Sequence, residues 1–153
     1  MKFSTRQDTE LSSEQLFDAL ADFDRIERLL TRRGALVRRV DPAREPGAGM
    51  AWEIGFDWRA RRREVRLDVT RFDRPEVIEV EGRSELFDIE LKLTVIALTL
   101  CKARLQFEVK LRPRNMRARL LLQTAKLGKV QLDRKFALRI AEFVDDITRA
   151  AVA

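Results

Sequence analysis

Residues 50–67 read MAWEIGFDWRARRREVRL. Met50, Trp52, Ile54, Phe56 and Trp58 place a large apolar side chain at every second position, with Glu53, Gly55 and Asp57 between them. Side chains of a strand point alternately to its two faces, so this spacing makes a strand that is apolar on one side and polar on the other. After a burst of arginine the same period resumes at Val65, Leu67 and Val69. The stretch predicts a half-buried antiparallel hairpin. Folded at Arg61 and Arg62, it sets Trp58 opposite Val65, Phe56 opposite Leu67 and Ile54 opposite Val69. On the other face Asp57 meets Arg66 and Arg59 meets Glu64, acid against base. An Arg-Arg pair is poor for a tight turn, so a residue or two more is expected in the connection. In this reading the aromatics face away from the arginines. The apolar face is a core or pocket wall, and the charge is solvated outside.

Working outward, period two persists through strands near 76–84, 88–98 and 102–112, with a turn at Asp73-Arg74-Pro75. The last hairpin has a register that its charges help to select. Folded around Leu100, it pairs Val95 with Leu105, Leu93 with Phe107, Leu91 with Val109 and Ile89 with Leu111. On the opposite face Lys92 meets Glu108, Glu90 meets Lys110 and Asp88 meets Arg112. A slip of two residues would set Lys92 against Lys110. Upstream, residues 35–40 make another strand, and Pro and Gly mark 41–49 as a loop.

The N-terminal part reads as a first strand over 2–9, with Phe3, Thr5 and Gln7 on one side. Ser12 and Gln15 then form a capping box for a helix whose apolar face is Leu16, Phe17 and Leu20. A second short helix begins at Asp24, with Ile26, Leu29 and Leu30 inward, and Gly34 stands where a left-handed C-terminal cap is expected. At the other end Pro113 stops the last strand and Asn115 caps a helix running to 149, about 50 Å long at 1.5 Å per residue. Its apolar stripe is Leu121, Ala125, Gly128, Leu132, Phe136, Ile140, Phe143 and Ile147. The order is strand, two short helices, six strands, one long helix. It predicts an α+β fold in which a seven-stranded curved antiparallel sheet wraps the long helix, in a single domain spanning 1–153.

The 153 residues, 45% of them apolar, suffice for one core. Histidine and tyrosine are absent and there is one cysteine. This removes Ser-His-Asp and Cys-His catalysis, histidine as general base, and histidine- or cysteine-based metal sites. Cys101 falls in the turn after Thr99-Leu100, with no histidine to activate it. Without a signal peptide, an apolar run of membrane-spanning length or a disulfide, a cytoplasmic location is expected. The formal charge is +6. The excess of arginine matches a GC-rich genome, and acidic residues are interspersed among the basic ones.

The opening MKFSTRQDTELSSEQLFDALADFDRIERLL, the strand entry GAGMAWEIGF, the strand-turn-strand RFDRPEVIEVEGRS and the closing KFALRIAEFVDDI carry a resemblance over nearly the whole chain. In this order they resemble the helix-grip fold of the START-like superfamily (SRPBCC), and the chain looks like a bacterial member. That group includes the birch pollen allergen, polyketide cyclases, lipid-transfer START domains and coenzyme Q-binding proteins. The resemblance implies an apolar cavity between sheet and long helix. The branch that holds iron on histidines is excluded by composition.

On that expectation the cavity walls are Trp52, Ile54, Phe56, Trp58, Leu67, Val69, Ile78, Val80, Leu91, Leu93, Phe107 and Val109 from the sheet. Leu121, Ala125, Gly128 and Leu132 come from the helix. A packed core would have the same alternation. Thr5, Gln7, Ser84, Gln123 and Thr124 are the polar groups available to orient a ligand, through an entrance between the long helix and the 41–49 loop. Glu53, Asp57, Glu81 and Glu90 fall on the outward face, so no buried acid-base pair is expected. The reading is non-covalent binding of a hydrophobic small molecule (a lipid, isoprenoid or polyketide-like compound) with no metal, cofactor or catalytic residue. The alternatives are a polyketide cyclase or dehydratase-type enzyme, marked by an inward Asp, Glu or Arg, and a membrane-peripheral adaptor with a filled core. Two arginine clusters, Arg59, Arg61, Arg62, Arg63 and Arg66, and Arg112, Arg114, Arg117 and Arg119, make an anionic membrane surface a second candidate partner. Specific nucleic-acid binding is not expected, because the aromatics alternate away from the arginines. Monomer and homodimer both remain open.

Overall fold

A computed structural model of the chain describes residues 1–41 and 45–152, with side chains through 149. Three residues of the expected 41–49 loop, 42–44, lie outside the described residues. The described residues form seven strands and four helices. They run β1 (Lys2–Thr9), α1 (Ser13–Leu20), α2 (Phe23–Arg32), β2 (Leu36–Arg39), β3 (Ala51–Trp58), β4 (Arg61–Asp73), β5 (Val77–Ser84), β6 (Phe87–Thr99), β7 (Lys102–Pro113), α3 (Met116–Leu127) and α4 (Lys129–Val152). All strands join one antiparallel sheet in the order β1-β7-β6-β5-β4-β3-β2. This is the helix-grip arrangement that the sequence predicts.

Local signals act as read. The Ser12 side chain accepts from the Gln15 N–H, and the Gln15 side chain accepts from the Ser12 N–H. Asn115 accepts from the Ala118 N–H at 2.9 Å. Gly34 has φ +92°, as a left-handed cap requires. The β6–β7 register is the one the charges select, with Lys92 opposite Glu108 and Leu93 opposite Phe107. The helix expected from Asp24 starts at Phe23, capped by Asp22.

Two expectations about the elements fail. The β3–β4 hairpin does not fold at Arg61 and Arg62. Trp58 pairs with Arg61, Phe56 with Arg63, Ile54 with Val65 and Trp52 with Leu67. The turn is the two residues Arg59 and Ala60, both at positive φ (51° and 58°). The expected register differs from this one by four residues. An even shift leaves every side chain on its own face, and both registers set acid against base: Glu53 now meets Arg66 and Asp57 meets Arg62. Nor is the C-terminal helix continuous. It breaks at Gly128, which ends α3 with φ −111° and lets α4 start afresh at Lys129.

The core gathers at one end of the sheet. Leu16, Phe17 and Leu20 of α1 meet Val144 and Ile147 of α4 and the strand residues Trp52, Val69, Ile78, Leu93, Val95 and Leu105. Phe17 packs edge-on against Phe72 and Phe23 against Trp52, both at 5.1 Å between ring centroids. Farther along α4, Phe136 lies against Phe3 of β1 and Phe107 of β7. Two forked ion pairs fasten the assembly. Arg104 holds Asp8 across β1 and β7, and Arg74 of the β4–β5 turn holds Asp18 of α1. The hydrogen bonds from these guanidinium groups keep both carboxyls below the usual carboxylate range.

Candidate functional site

Packing decays along every central strand in the same direction. On β3 Trp52 is 7% exposed, while Phe56 and Trp58 reach 37% and 38%. On β4 Val69 is buried and Val65 is half-buried; on β5 Ile78 is buried and Val80 is half-buried. On β6 Leu93 and Val95 are buried, and Leu91 and Ile89 are half-buried. On β7 Leu105 gives way to Phe107, Val109 and Leu111 in the same manner. The buried ends lie under α1 and the C-terminal half of α4. The opposite ends form an apolar inner wall that the protein's own side chains do not fill.

At that end lies an open cleft of about 760 Å³. It is bounded by the β3–β4 hairpin, the β5–β6 turn and Arg114 at the start of α3. Its apolar lining includes Phe56, Trp58, Val65, Leu86, Phe87 and Ile89. A volume of this size falls within the roughly 300–1,000 Å³ of small-molecule sites. Hydrogen bonds hold the rim: the Arg114 N–H donates to the Leu86 carbonyl at 2.8 Å, and its side chain donates to the Ser84 carbonyl at 2.5 Å. Asn115 donates to the Glu85 carbonyl. The cleft is at the far end of β3 from the 41–49 loop, where the entrance was expected.

The sixteen expected wall residues divide. Trp52, Val69, Ile78 and Leu93 are in the packed core, and Ile54, Leu67, Val80, Leu91 and Phe107 are partly buried against it. Phe56 and Trp58 line the cleft. Val109, Leu121, Ala125, Gly128 and Leu132 are half-buried. Among the polar candidates Ser84 lines the cleft, Thr5 and Gln7 are half-buried on β1, and Gln123 and Thr124 are exposed rather than inward.

The separation of aromatics from arginines does not hold. Arg63 has the strand parity of Val65 and Leu67 and lies on the inner face, 14% exposed. Its guanidinium carbon is 5.5 Å from the Trp58 ring centroid, and that of Arg59 is 4.8 Å away. Its Nε is covered and has no hydrogen-bond partner among the described residues. A buried donor left without an acceptor costs about 1–3 kcal/mol. The strand alternation that placed Val65 inward also placed Arg63 inward. Its charge led the sequence reading to count it as a solvent-facing group.

Four of the outer arginines are matched. Arg62 pairs with Asp57, Arg66 with Asp68 and Glu53, Arg114 with Asp88, and Arg112 with Glu90. Charge is otherwise concentrated in one segment. Residues 109–132 contain seven basic and no acidic side chains, which leaves 24 basic and 25 acidic in the rest of the chain. The net positive charge of the protein therefore resides in the end of β7, α3 and the first turn of α4. On α3 Met116, Leu120 and Leu127 are 67%, 57% and 90% exposed.

No protein-family model matches the sequence, and no curated protein matches it. Solved structures do match the fold. TTHA0849 from Thermus thermophilus aligns with a TM-score of 0.70 at 11% identity, covering 100% of each chain. Norcoclaurine synthase from Thalictrum flavum, in complex with dopamine and hydroxybenzaldehyde, aligns at 0.70 and 10% identity, over 99% of this chain and 86% of that one. The Zhui aromatase/cyclase from Streptomyces sp. R1128 aligns at 0.63 and 12% identity, over 99% and 93%. The chain has the START-like helix-grip fold.

Proposed function

We propose that the chain binds a hydrophobic small molecule non-covalently in the cleft at the hairpin end of the sheet. The single observation that carries this reading is the graded burial of the inner face. Apolar residues on five neighbouring strands are packed at one end and left half-covered at the other. An apolar molecule laid on Phe56, Trp58, Val65 and Ile89 would remove that surface from water. The gain is about 25 cal/mol per Å² of apolar area before ordering costs. Of the sequence-derived wall, Ile54, Leu67, Leu91 and Val109 would form the floor beneath it, while Trp52, Val69, Ile78 and Leu93 hold the core. The fold relatives add support: one was solved with dopamine and hydroxybenzaldehyde, and another is an aromatase/cyclase.

Trp58 is the reporter for a direct test. Titration with a neutral apolar probe, dodecanol, is expected to shift tryptophan emission to the blue and saturate at one molecule per chain. Trp58→Phe is expected to remove the shift, leaving the buried Trp52 as an unresponsive background. Native mass spectrometry of the purified protein, followed by organic extraction, would identify any carried ligand. No saturable shift would sink the reading.

A second reading has its own observation. The acid-free segment 109–132 and the exposed Met116, Leu120 and Leu127 fit α3 to an anionic bilayer. At about 100° per residue the three side chains fall within roughly 40° of one another around the helix. Each lysine or arginine near such a surface is worth about 1 kcal/mol. Docking there would bring the cleft rim, where α3 begins, against the lipid. Flotation with phosphatidylserine-containing vesicles should recover the protein at low salt. Neutral phosphatidylcholine vesicles and the Arg117→Glu/Arg119→Glu variant should not. Equal recovery on both vesicle types would reject it.

A further inference from the structure

We propose that the cleft selects single-chain amphipathic carboxylic acids, with the carboxylate on Arg63 and the chain along Phe56, Val65 and Ile89. This rests on the cleft reading above and adds the polar end of the ligand. Three observations carry it. First, Arg63 is a cation on an otherwise apolar inner wall, 14% exposed and lining the cleft. Second, its charge is poorly matched. Its ion partner is Glu85, at 3.9 Å, with a side chain that is 74% exposed. Its Nε has no acceptor among the described residues. Third, of the neighbouring rim cations Arg62 is taken by Asp57, Arg66 by Asp68 and Glu53, and Arg114 by Asp88 and the Ser84 carbonyl, while Arg83 stands opposite Arg66 on the outer face of the sheet.

A guanidinium is a planar fork of donors that matches a carboxylate, and it is less strongly hydrated than an ammonium, so it suits a low-dielectric wall. On the inner wall the one poorly matched positive charge, Arg63, calls for one negative charge, which favours a carboxylate over a doubly charged phosphate monoester. The apolar lining beyond the guanidinium calls for a hydrocarbon attached to it. A neutral amphiphile would make the same apolar contacts but leave the guanidinium without its counter-charge.

The test compares dodecanoate with dodecanol, below micellar concentrations, on the wild type, Arg63→Gln and Glu85→Gln. Wild type should bind dodecanoate about tenfold or more tighter than dodecanol. Arg63→Gln should abolish that preference while dodecanol binding stays within about twofold, which also shows that the variant folds. Glu85→Gln removes the competing carboxylate and should strengthen dodecanoate binding alone. Equal affinity for the two ligands in wild type, or a preference that survives Arg63→Gln, would overturn the assignment and leave the apolar cleft standing. Failure of dodecanol to bind wild type would overturn the cleft reading and this inference with it.

Discussion

Gly82 lies on β5 between Leu67 of β4 and Ile89 of β6. A Cβ there would stand 2.9 Å from Leu67 Cδ2 and 3.1 Å from Ile89 Cβ. The leucine methyl can rotate aside, but the isoleucine Cβ moves only with its backbone. Gly82→Ala is therefore expected to destabilise the protein by about 1–3 kcal/mol, as overpacking does. The denaturant midpoint should fall at unchanged slope; an unchanged midpoint would mean that the strands yield freely. This crowding could not be read from sequence, because it depends on which strands flank β5. Arg63 is the opposite case. Its place in the odd-numbered series with Val65, Leu67 and Val69 was legible, but the charge argued for water. The long aliphatic stem of arginine reconciles the two, since it lies along an apolar wall while the head stays near the rim.

At the scale of elements, the β3–β4 hairpin shows what periodicity can and cannot fix. Faces follow from alternation, and Trp52, Ile54, Phe56 and Trp58 share one as expected. Register needs a further signal, and two registers four residues apart satisfied both the apolar and the charge pairing. Turn chemistry, the usual tie-breaker, is muted here: Arg59 and Ala60 occupy positions that favour Asn and Gly. Ala60→Gly is expected to stabilise the hairpin by about 0.5–1 kcal/mol, the relief of a left-handed alanine less the added chain entropy. Thermal or urea unfolding would detect it, and a loss of stability would contradict the turn geometry. The β6–β7 register was legible because a slip there sets like charges together. The break at Gly128 was half legible. Glycine was visible as a weak point in the helical stripe, but a continuous stripe on either side gave no reason to end a helix there.

Across the whole molecule, the order of elements and the sheet's apolar face were written in the sequence, and so was the likeness to the helix-grip fold. The extent of the cleft was not, because a filled and an unfilled wall have the same alternation. What separates them is where α1 and α4 come to rest, a matter of long-range packing. They rest over one end, against Trp52, Val69, Ile78 and Leu93, and the other end keeps Phe56, Trp58 and Ile89 half-covered. That division parts two kinds of selective pressure. Truncating the large side chains at the packed end would leave cavities and cost stability, whereas truncating the half-covered side chains at the open end would cost less folding energy. In the binding reading proposed above, a few substitutions at the hairpin end would exchange one ligand for another while the packed end keeps the chain folded. This is a physical route by which one scaffold can diversify while its sequences drift beyond mutual recognition.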